Sequence, residues 1–344
     1  MIDKSQKTIY FLGAGASRAS DFSLPILKEF FKGADFMGDE YQNLRQFIDD
    51  KFPSLPIEKL NLEEVVTTIE LSLDTFGALG GHPEPYIYEA RIELDRYIAA
   101  KLSIDTAKPC KLHEKIINTE LAGENSVDSI ITLNYDLVVD STLYAKSPRR
   151  NGDKYLESDC LLVRMYDLLG VTLYVDTGES LSLSREKSNL GLYLKLHGSI
   201  DWFYCPNPEC GYHQRFSPNR IGSDSSHNRS GDLCNLCGSP IISVIVPPTM
   251  YKTFEKFPKL GLIWSLAYRE LNVADKIVIF GVSFASSDYY LRWLFKKAIT
   301  ERKNQLVIFN IDTNPDVAKE IKKITGCVPK QYSTLEAYLT AQTT

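Results

Sequence analysis

The 344-residue sequence contains no uninterrupted apolar run near the length of about 20 residues that a membrane-spanning helix needs. The segment MIDKSQK at its start carries charged side chains, and no apolar signal core follows it. We therefore expect neither a membrane protein nor a secreted one. The seven cysteines are accordingly expected in a reducing, cytoplasmic setting.

Positive charge is also scarce, because 39 Lys and Arg residues stand against 44 Asp and Glu residues, for a net charge of -5 at pH 7. A broad basic face for duplex nucleic acid is not expected, although a local basic patch remains open. Repeats and low-complexity segments are missing too, and 44% apolar residues are typical of a globular chain. The length predicts two domains, or one large domain with insertions.

Short apolar runs rich in β-branched and aromatic residues predict strands that are buried on both faces. They are Thr8–Leu12, Ser129–Leu133, Leu192–Leu196, Ile241–Val246, Lys276–Phe280 and Gln305–Phe309. Stretches with helical spacing lie between them, at Leu24–Phe31, Leu62–Leu73, Tyr86–Leu102, Lys111–Thr119, Leu137–Tyr144, Leu260–Leu271, Tyr289–Arg302 and Pro315–Ile324. The alternation predicts an α/β fold with a doubly wound parallel sheet.

Three regions interrupt this alternation. Residues 35–104 are mostly helical in pattern and predict an inserted helical module. Residues 201–240 are rich in Cys, Asn, Ser, Pro and Gly, so they cannot bury a core and need a staple. Residues 145–190 are irregular, with a hairpin expected through Val171–Val175.

Small, amide and ionisable residues follow the predicted strands, at the edge where open α/β sheets bind ligands. The segments are Gly13–Ser17, Asn134–Asp136, His197–Ser199, Gly281–Ser283 and Asn310–Asp312. Turns favour these residue types in any case. Five such turns at one edge nevertheless indicate a site.

The loop Gly13-Ala14-Gly15-Ala16-Ser17 lies between a predicted strand and a predicted helix, where backbone N–H groups can approach phosphate. Arg18 stands where a dehydrogenase would have its third glycine, and no second strand with a terminal acidic residue follows. The loop therefore indicates a phosphate-bearing ligand and argues against hydride transfer. Arg18 itself is either a phosphate partner or a surface residue.

His197 comes directly after a predicted strand, at the ligand edge, where an imidazole can act as a general base. The other four histidines have no such support. Among them, His213 lies within the cysteine-rich segment and is either a spare metal ligand or a surface residue.

Two close cysteine pairs separated by a polar loop predict a four-thiolate zinc site. The predicted ligands are Cys205, Cys210, Cys234 and Cys237. Four protein ligands leave no open position, so the ion is expected to be structural. A pair of disulfides is the alternative, which a cytoplasmic setting disfavours.

The order of these motifs (GAGAS, TLNYD, LHGS, two cysteine pairs, GVSF and a late strand with Asn) resembles the sirtuin, or silent information regulator, family over residues 8–315. The resemblance implies one sirtuin-like domain over 1–344. Within it, residues 1–34, 105–200 and 241–344 would form a Rossmann-like lobe that binds NAD. A smaller lobe would combine the helical insertion at 35–104 with the zinc module at 201–240.

The same resemblance implies the roles of single residues. His197 would be the catalytic base, Asn134 would position a ribose hydroxyl or water, and Asp136 would bind the nicotinamide carboxamide. The implied contacts to the rest of NAD are Gly13, Ala14, Gly15, Ser17, Thr132, Gly281, Ser283 and Asn310.

The departures from the family concern peptide binding. Ser23–Lys28 lacks the Phe-Arg pair of the deacylases, Leu133 replaces a glutamine, and Val246–Tyr251 replaces the Phe-Gly-Glu segment that pairs with an acyl-lysine peptide. These features resemble divergent bacterial proteins that consume NAD in antiphage defence.

The predicted function is therefore conditional hydrolysis of NAD, which is the substrate, to nicotinamide and ADP-ribose, with zinc as a structural ion. The expected partners are further copies of the chain or a defence-system protein, without membrane or direct nucleic-acid binding. Two alternatives stay open. One is an NAD-dependent protein deacylase or ADP-ribosyltransferase, and the other is a non-catalytic module that senses NAD or ADP-ribose.

Overall fold

The computed structural model describes residues 6–34, 36, 38–73, 84–106, 108–117, 127–145, 173–174, 180–181, 191–207, 209–210, 213–215, 229–247, 257–302 and 305–343. The strands are β1 (Thr8–Leu12), β2 (Ser129–Thr132), β3 (Leu173–Tyr174), β4 (Ser180–Leu181), β5 (Tyr193–Lys195), β6 (Gly198–Tyr204), β7 (His213–Arg215), β8 (Ile242–Ile245), β9 (Lys276–Phe280), β10 (Val307–Ile311) and β11 (Lys330–Tyr332). The helices are α1 (Ala14–Arg18), α2 (Gln42–Lys51), α3 (Leu62–Leu73), α4 (Pro85–Lys101), α5 (Lys111–Ile116), α6 (Val138–Ala145), α7 (Pro258–Val273), α8 (Tyr289–Ile299), α9 (Pro315–Thr325) and α10 (Leu335–Thr343).

Six strands form one parallel sheet in the order β11-β10-β9-β1-β2-β5. Numbered along the chain among themselves, they run 6-5-4-1-2-3, which is the Rossmann order. The direction of winding changes between β1 and β9, and ligands of such sheets bind at this switch point. The predicted doubly wound, Rossmann-like sheet is thus confirmed.

Aromatic packing joins the flanking helices to this sheet. Phe11 of β1 meets Phe295 of α8 edge to face, with ring centroids 4.8 Å apart. Phe309 of β10 meets Tyr338 of α10 in the same way, at 5.1 Å. All four side chains are buried. Such contacts anchor helices over the apolar strands and keep the carboxyl edge of the sheet in place.

The loops after β1 and β9 touch each other at the switch point. Gly13 N donates to Phe280 O at 2.9 Å, and Gly15 N donates to Gly281 O at 3.0 Å. Gly281 has a φ of +67°, and a Cβ atom there would lie 2.2 Å from Ala16 N. Both the backbone conformation and the close approach therefore require glycine.

The smaller lobe combines helices α2–α4 with a three-stranded antiparallel sheet in the order β7-β6-β8. Arg91 and Asp95 of α4 are fully buried between the two parts and form an ion pair. Asp95 Oδ2 accepts from Ser243 N at 2.9 Å and from Ser230 Oγ at 3.0 Å, while Arg91 Nε donates to Glu70 Oε1 at 2.7 Å. This buried network ties the helical module to the strands around the cysteine cluster.

Several predicted elements agree with the structure, since α3 spans Leu62–Leu73 as predicted and β9 spans Lys276–Phe280. The expected hairpin is present as the antiparallel pair β3 and β4, while the rest of 146–190 lies outside the described residues. Strand β11 and helix α10 were not predicted. Among the described residues, no helix is both long and apolar enough to cross a membrane.

Two strand predictions need correction. The run Ile241–Val246, assigned to the large lobe, forms β8 of the small sheet. This happens because Gly198, at φ +87°, turns the chain after β5 out of the large sheet and into β6, to which β8 pairs. The late strand lies two residues further on than Gln305–Phe309, so Asn310 is inside β10 and not beyond it.

The predicted helix Leu24–Phe31 is also wrong, since the structure has only a short 3-10 turn at Leu27–Glu29 there. Pro25 disfavours helical backbone at the residue before it. Ser23, just upstream, has a φ of +49°. The chain therefore enters the helical module through an extended turn.

We predict that Gly281→Ala destabilises the protein far more than Gly33→Ala. Gly33 also has a positive φ, of +64°, but no atom lies within 4 Å of the added Cβ. Left-handed backbone alone should lower the free energy of unfolding of Gly33→Ala by about 1 kcal/mol. Backbone overlap should bring the loss for Gly281→Ala to about 3 kcal/mol or more. Urea denaturation measures the free energy of unfolding of both variants. Equal losses would mean that the close contact between the two loops does not contribute to stability.

Candidate active site and zinc centre

A cavity opens at the carboxyl ends of β1, β2, β5 and β9, at the switch point of the large sheet. Open α/β sheets bind small-molecule ligands at this position. The large lobe contributes to its wall Gly13, Ala14, Ser17, Leu133, Asn134, Tyr135, Asp136, His197, Gly281, Val282, Ser283, Phe284, Ala285, Asp288 and Leu291. The opposite wall comes from the segment between β1 and β2, through Pro25, Leu27, Phe30, Glu63 and Leu102.

His197 lies in the short connection between β5 and β6. Its Nε2 is 3.3 Å from Asp288 Oδ2, and only 3% and 4% of the two side chains are exposed. The imidazole stacks on Trp264 of α7, with ring centroids 6.1 Å apart and an interplanar angle of 21°. Trp264 is itself fixed, because its Nε1 donates to Leu196 O at 2.8 Å. His197 is therefore a held imidazole with a carboxylate partner, which is the arrangement of a general base.

Asp288 is a site residue that sequence reasoning missed. It caps α8, since its Oδ1 accepts from Leu291 N at 3.3 Å, and its Oδ2 points to His197. The segment Ser286-Ser287-Asp288 before an amphipathic run is a helix-start signal in the sequence. That signal predicts the cap, but it does not show which histidine the second oxygen meets.

Asn134 joins the loops after β1 and β2. Its Nδ2 donates to Gly13 O at 3.0 Å and to Ser17 Oγ at 2.8 Å. Both amide protons are thereby used within the protein. Among the described residues, no donor reaches its Oδ1, which is left to accept a hydrogen bond from water or a hydroxyl group in the cavity.

Asp136 is buried at the cavity wall, and its Oδ1 accepts from Val138 N at 3.0 Å. Burial raises the pKa of Asp136 above its ordinary value, while the Lys195 ammonium and the Ser17 hydroxyl oppose that rise. The charge on this carboxyl group therefore depends on its neighbours.

The described wall of the cavity carries three carboxyl groups, from Glu63, Asp136 and Asp288, and no lysine or arginine. Glu63 lies in the first turn of helix α3 of the helical module, where Asn61 Oδ1 accepts from its backbone N at 3.1 Å. This electrostatic character favours a positively charged group in the ligand. Phosphate groups would depend on backbone N–H groups.

The other predicted residues divide into two sets. Gly13, Ala14, Ser17, Gly281 and Ser283 line the cavity. Gly15, Thr132 and Asn310 do not, among the described residues.

Each of these last three residues has an internal role. Gly15 packs on Gly281, where a Cβ atom would lie 2.6 Å from Gly281 Cα. Thr132 Oγ1 accepts from Asn134 N at 3.1 Å and so supports the loop after β2. Asn310 is fully buried in β10, and its Nδ2 donates to Gln331 Oε1 at 2.9 Å.

Arg18 lies outside the cavity. Its Nη1 is 3.2 Å from Glu29 Oε2, and half of its side chain is exposed. Of the two interpretations left open for Arg18, the structure favours the surface residue.

The four predicted zinc ligands form a cluster in which all the Sγ atoms lie within 4.8 Å of one another. Cys205 Sγ is 3.4 Å from Cys237 Sγ, and Cys210 Sγ is 3.7 Å from Cys234 Sγ. A tetrahedral zinc site with Zn–S bonds of about 2.3 Å has sulfur separations of about 3.8 Å. The cluster therefore fits zinc, and its four thiolates would hold the ion as a structural centre. His213 begins strand β7.

No protein-family model and no curated protein sequence matches the chain. Among solved structures, the chain is similar to a complex of a Sir2 homologue with NAD, at 15% identity and a TM-score of 0.47, over 95% of this chain and 84% of that one. It is similar to an ADP-ribose complex of a mutant Sir2 homologue at 14% identity and a TM-score of 0.42, over 94% and 92%. A Sir2 complex with an inhibitor, 2'-O-acetyl-ADP-ribose and a deacetylated peptide has 17% identity and a TM-score of 0.36, over 98% and 93%.

These structures come from the family that the motif order resembles. All three TM-scores are below 0.5. The fold assignment above accordingly rests on the strand order and register of this chain itself.

We predict that the purified protein contains about one zinc ion per chain, because residues 201–240 have little apolar content with which to fold alone. Cys237→Ser should remove most of the metal and lower the melting temperature. Cys327→Ser, at a buried cysteine outside the cluster, is the control and should keep the metal. Metal analysis by mass spectrometry decides the matter, and zinc-free wild-type protein with four free thiols in this cluster would contradict it.

Proposed function

We propose that this protein hydrolyses the N-glycosidic bond of NAD and releases nicotinamide and ADP-ribose. The observation that carries the proposal is the buried His197–Asp288 pair, which faces a cavity at the switch point of a Rossmann-ordered sheet. The resemblance of the motif order to sirtuins supports NAD as the ligand.

The carboxyl groups of the cavity fit the chemistry of this bond. Nicotinamide leaves the pyridinium as a neutral molecule and needs little acid catalysis, so the barrier lies in the positive charge that develops on the ribose. Carboxylates held in a cavity lower the energy of such a charge without having to reorganise. Asp136, Asp288 and Glu63 all lie at the cavity wall and supply that negative potential.

His197 and Asn134 act on the attacking water in this mechanism. Asn134 Oδ1 accepts a hydrogen bond from the water and orients it. The water oxygen bonds to the ribose carbon as the carbon–nitrogen bond breaks, and that electron pair goes to the ring nitrogen. His197 takes the water proton, and the Asp288 carboxylate stabilises the imidazolium before the proton passes to solvent.

The backbone of Val246 favours hydrolysis over peptide deacylation. Its N donates to His197 O at 2.9 Å, and its O accepts from Tyr135 Oη at 3.1 Å. Strand addition by a peptide needs free backbone groups at an edge, and at Val246 both are used within the protein. This residue begins the segment that departs from the deacylase pattern.

We predict that purified protein converts NAD to nicotinamide and ADP-ribose, and that ADP-ribose remains the main product when excess acetylated peptide is added.

His197→Ala should lower the rate on the order of 100-fold or more, because a general base is lost. NAD affinity should change far less, because the base acts on the attacking water and the rest of the cavity wall is unchanged. Chromatographic product analysis gives the rates, and calorimetry gives the affinities.

Asp288→Asn and Asp312→Asn form a matched pair for this experiment. Both carboxylates accept a hydrogen bond from a nearby backbone N–H group, but only Asp288 faces His197. Asp288→Asn should therefore lower turnover strongly, while Asp312→Asn should leave it intact. If O-acetyl-ADP-ribose is the main product, the protein is a deacylase and the proposed hydrolysis is wrong. Tight NAD binding without nicotinamide release would instead favour a sensing module.

The proposal extends to conditional NAD consumption in bacterial antiphage defence, because the departures from the deacylase motifs resemble defence proteins. An unrestrained NAD hydrolase would deplete its own cell. We predict that cellular NAD stays near normal in bacteria expressing the protein and falls sharply during phage infection, but not with His197→Ala. NAD levels measured over a panel of phages test this, and unchanged levels with every phage would count against a defence role.

A further inference from the structure

A buried ionic group beneath the cavity has no part in the mechanism above. Lys195 of β5 and Asp140 of α6 have no exposed side-chain area, and neither residue lines the described cavity. Tyr193, two residues earlier on β5, is 1% exposed. Burying an ammonium group is costly, so its contacts call for an explanation.

The contacts lead to Asp136. Lys195 Nζ donates to Asp136 O at 2.6 Å and lies 3.1 Å from Asp140 Oδ2. Tyr193 Oη donates to the same Asp140 oxygen at 2.8 Å. The ammonium thus fixes the backbone of a cavity residue, and the second carboxylate holds the ammonium in place.

We propose that Lys195 is a positioning residue that keeps the Asp136 carboxyl group ionised and aimed into the cavity. The negative charge of Asp140 opposes this effect of Lys195 and so limits its size. This inference rests on the proposed function. An ionised carboxylate accepts hydrogen bonds from a carboxamide N–H group, whereas a protonated one offers a donor in place of one acceptor. The ionised carboxylate also stabilises the positive charge of the pyridinium and of the ribose.

The electrostatic directions agree with the geometry. Burial raises the pKa of Asp136, the Lys195 charge lowers it, and the Asp140 charge raises it. The ionisable and polar groups around Asp136 come from several elements: Ser17 of α1, Lys195 of β5, Asp140 of α6 and, across the cavity, Glu63, His197 and Asp288. Lys195 contributes the only amine in this set.

Two variants should move the pH dependence in opposite directions. Activity requires ionised Asp136, so it falls on the acid side as this group is protonated. Lys195→Met removes the positive charge, raises the pKa of Asp136 and should shift the acid limb of kcat/KM upward by about 1 pH unit or more. Asp140→Asn removes a negative charge and should shift the same limb downward.

Tyr193→Phe serves as the control. It removes a hydrogen bond to Asp140 and leaves both charges in place, so the acid limb should stay where it is even if the melting temperature falls. A purely structural ion pair would lower stability in all three variants and would leave every acid limb unmoved. That result, or shifts of the same sign for Lys195→Met and Asp140→Asn, overturns the proposal.

A second readout separates this inference from the proposed function. In protein with 13C-labelled aspartate carboxyl groups, NMR titration follows Asp136 directly, and Asp136→Asn assigns its signal. The expected opposite shifts need no turnover. Wild-type protein that is inactive on NAD but shows these shifts would refute hydrolysis alone, while unshifted titrations in an active enzyme would refute the role of Lys195. If Lys195→Met does not fold, two other variants still test the proposal. Asp140→Asn should shift the acid limb downward, and Lys195→Arg, which keeps the positive charge, should leave the acid limb in place.

Discussion

The contact between the glycines after β1 and the glycine after β9 is the constraint on which the site depends. Gly281 leaves no room for a Cβ atom between itself and Ala16 N. Because these loops meet without side chains, the two central strands can end side by side, and the chain enters α1 directly above the switch point. Asn134, which follows β2, then ties the loop after β2 to the loop after β1 by donating to Gly13 O.

The helical module is part of the site as well as of the scaffold. It supplies Glu63, with its carboxyl group, and Leu102 to one wall of the cavity. The buried pair Arg91–Asp95 holds this module against the strands of the small sheet, where Asp95 accepts from Ser243 N. An inserted segment of this kind can set ligand preference without changing the fold that holds His197.

Local patterns predicted what depends on local physics. Helix Leu62–Leu73 and strand Lys276–Phe280 follow from apolar spacing, and the cysteine cluster follows from ligand spacing. Asp288 was missed because its role arises only when the start of α8 meets the turn after β5, a contact between distant parts of the chain. Asn310 was misplaced because a two-residue error in a strand boundary moves a side chain from the sheet edge into the core.

His197 and the cysteine cluster lie at the two ends of the same strand, β6. Strand β6 begins one residue after His197 and ends one residue before Cys205 of the cysteine cluster. Its pairing with β8 is irregular between Ser199 and Phe203, but its seven residues still connect His197 directly to the cluster. His197 therefore stands where the large sheet ends and the small sheet begins, and its partner Asp288 is held at the start of α8 in the large lobe. A change at the cysteine cluster can reach the His197–Asp288 contact through the residues of one strand.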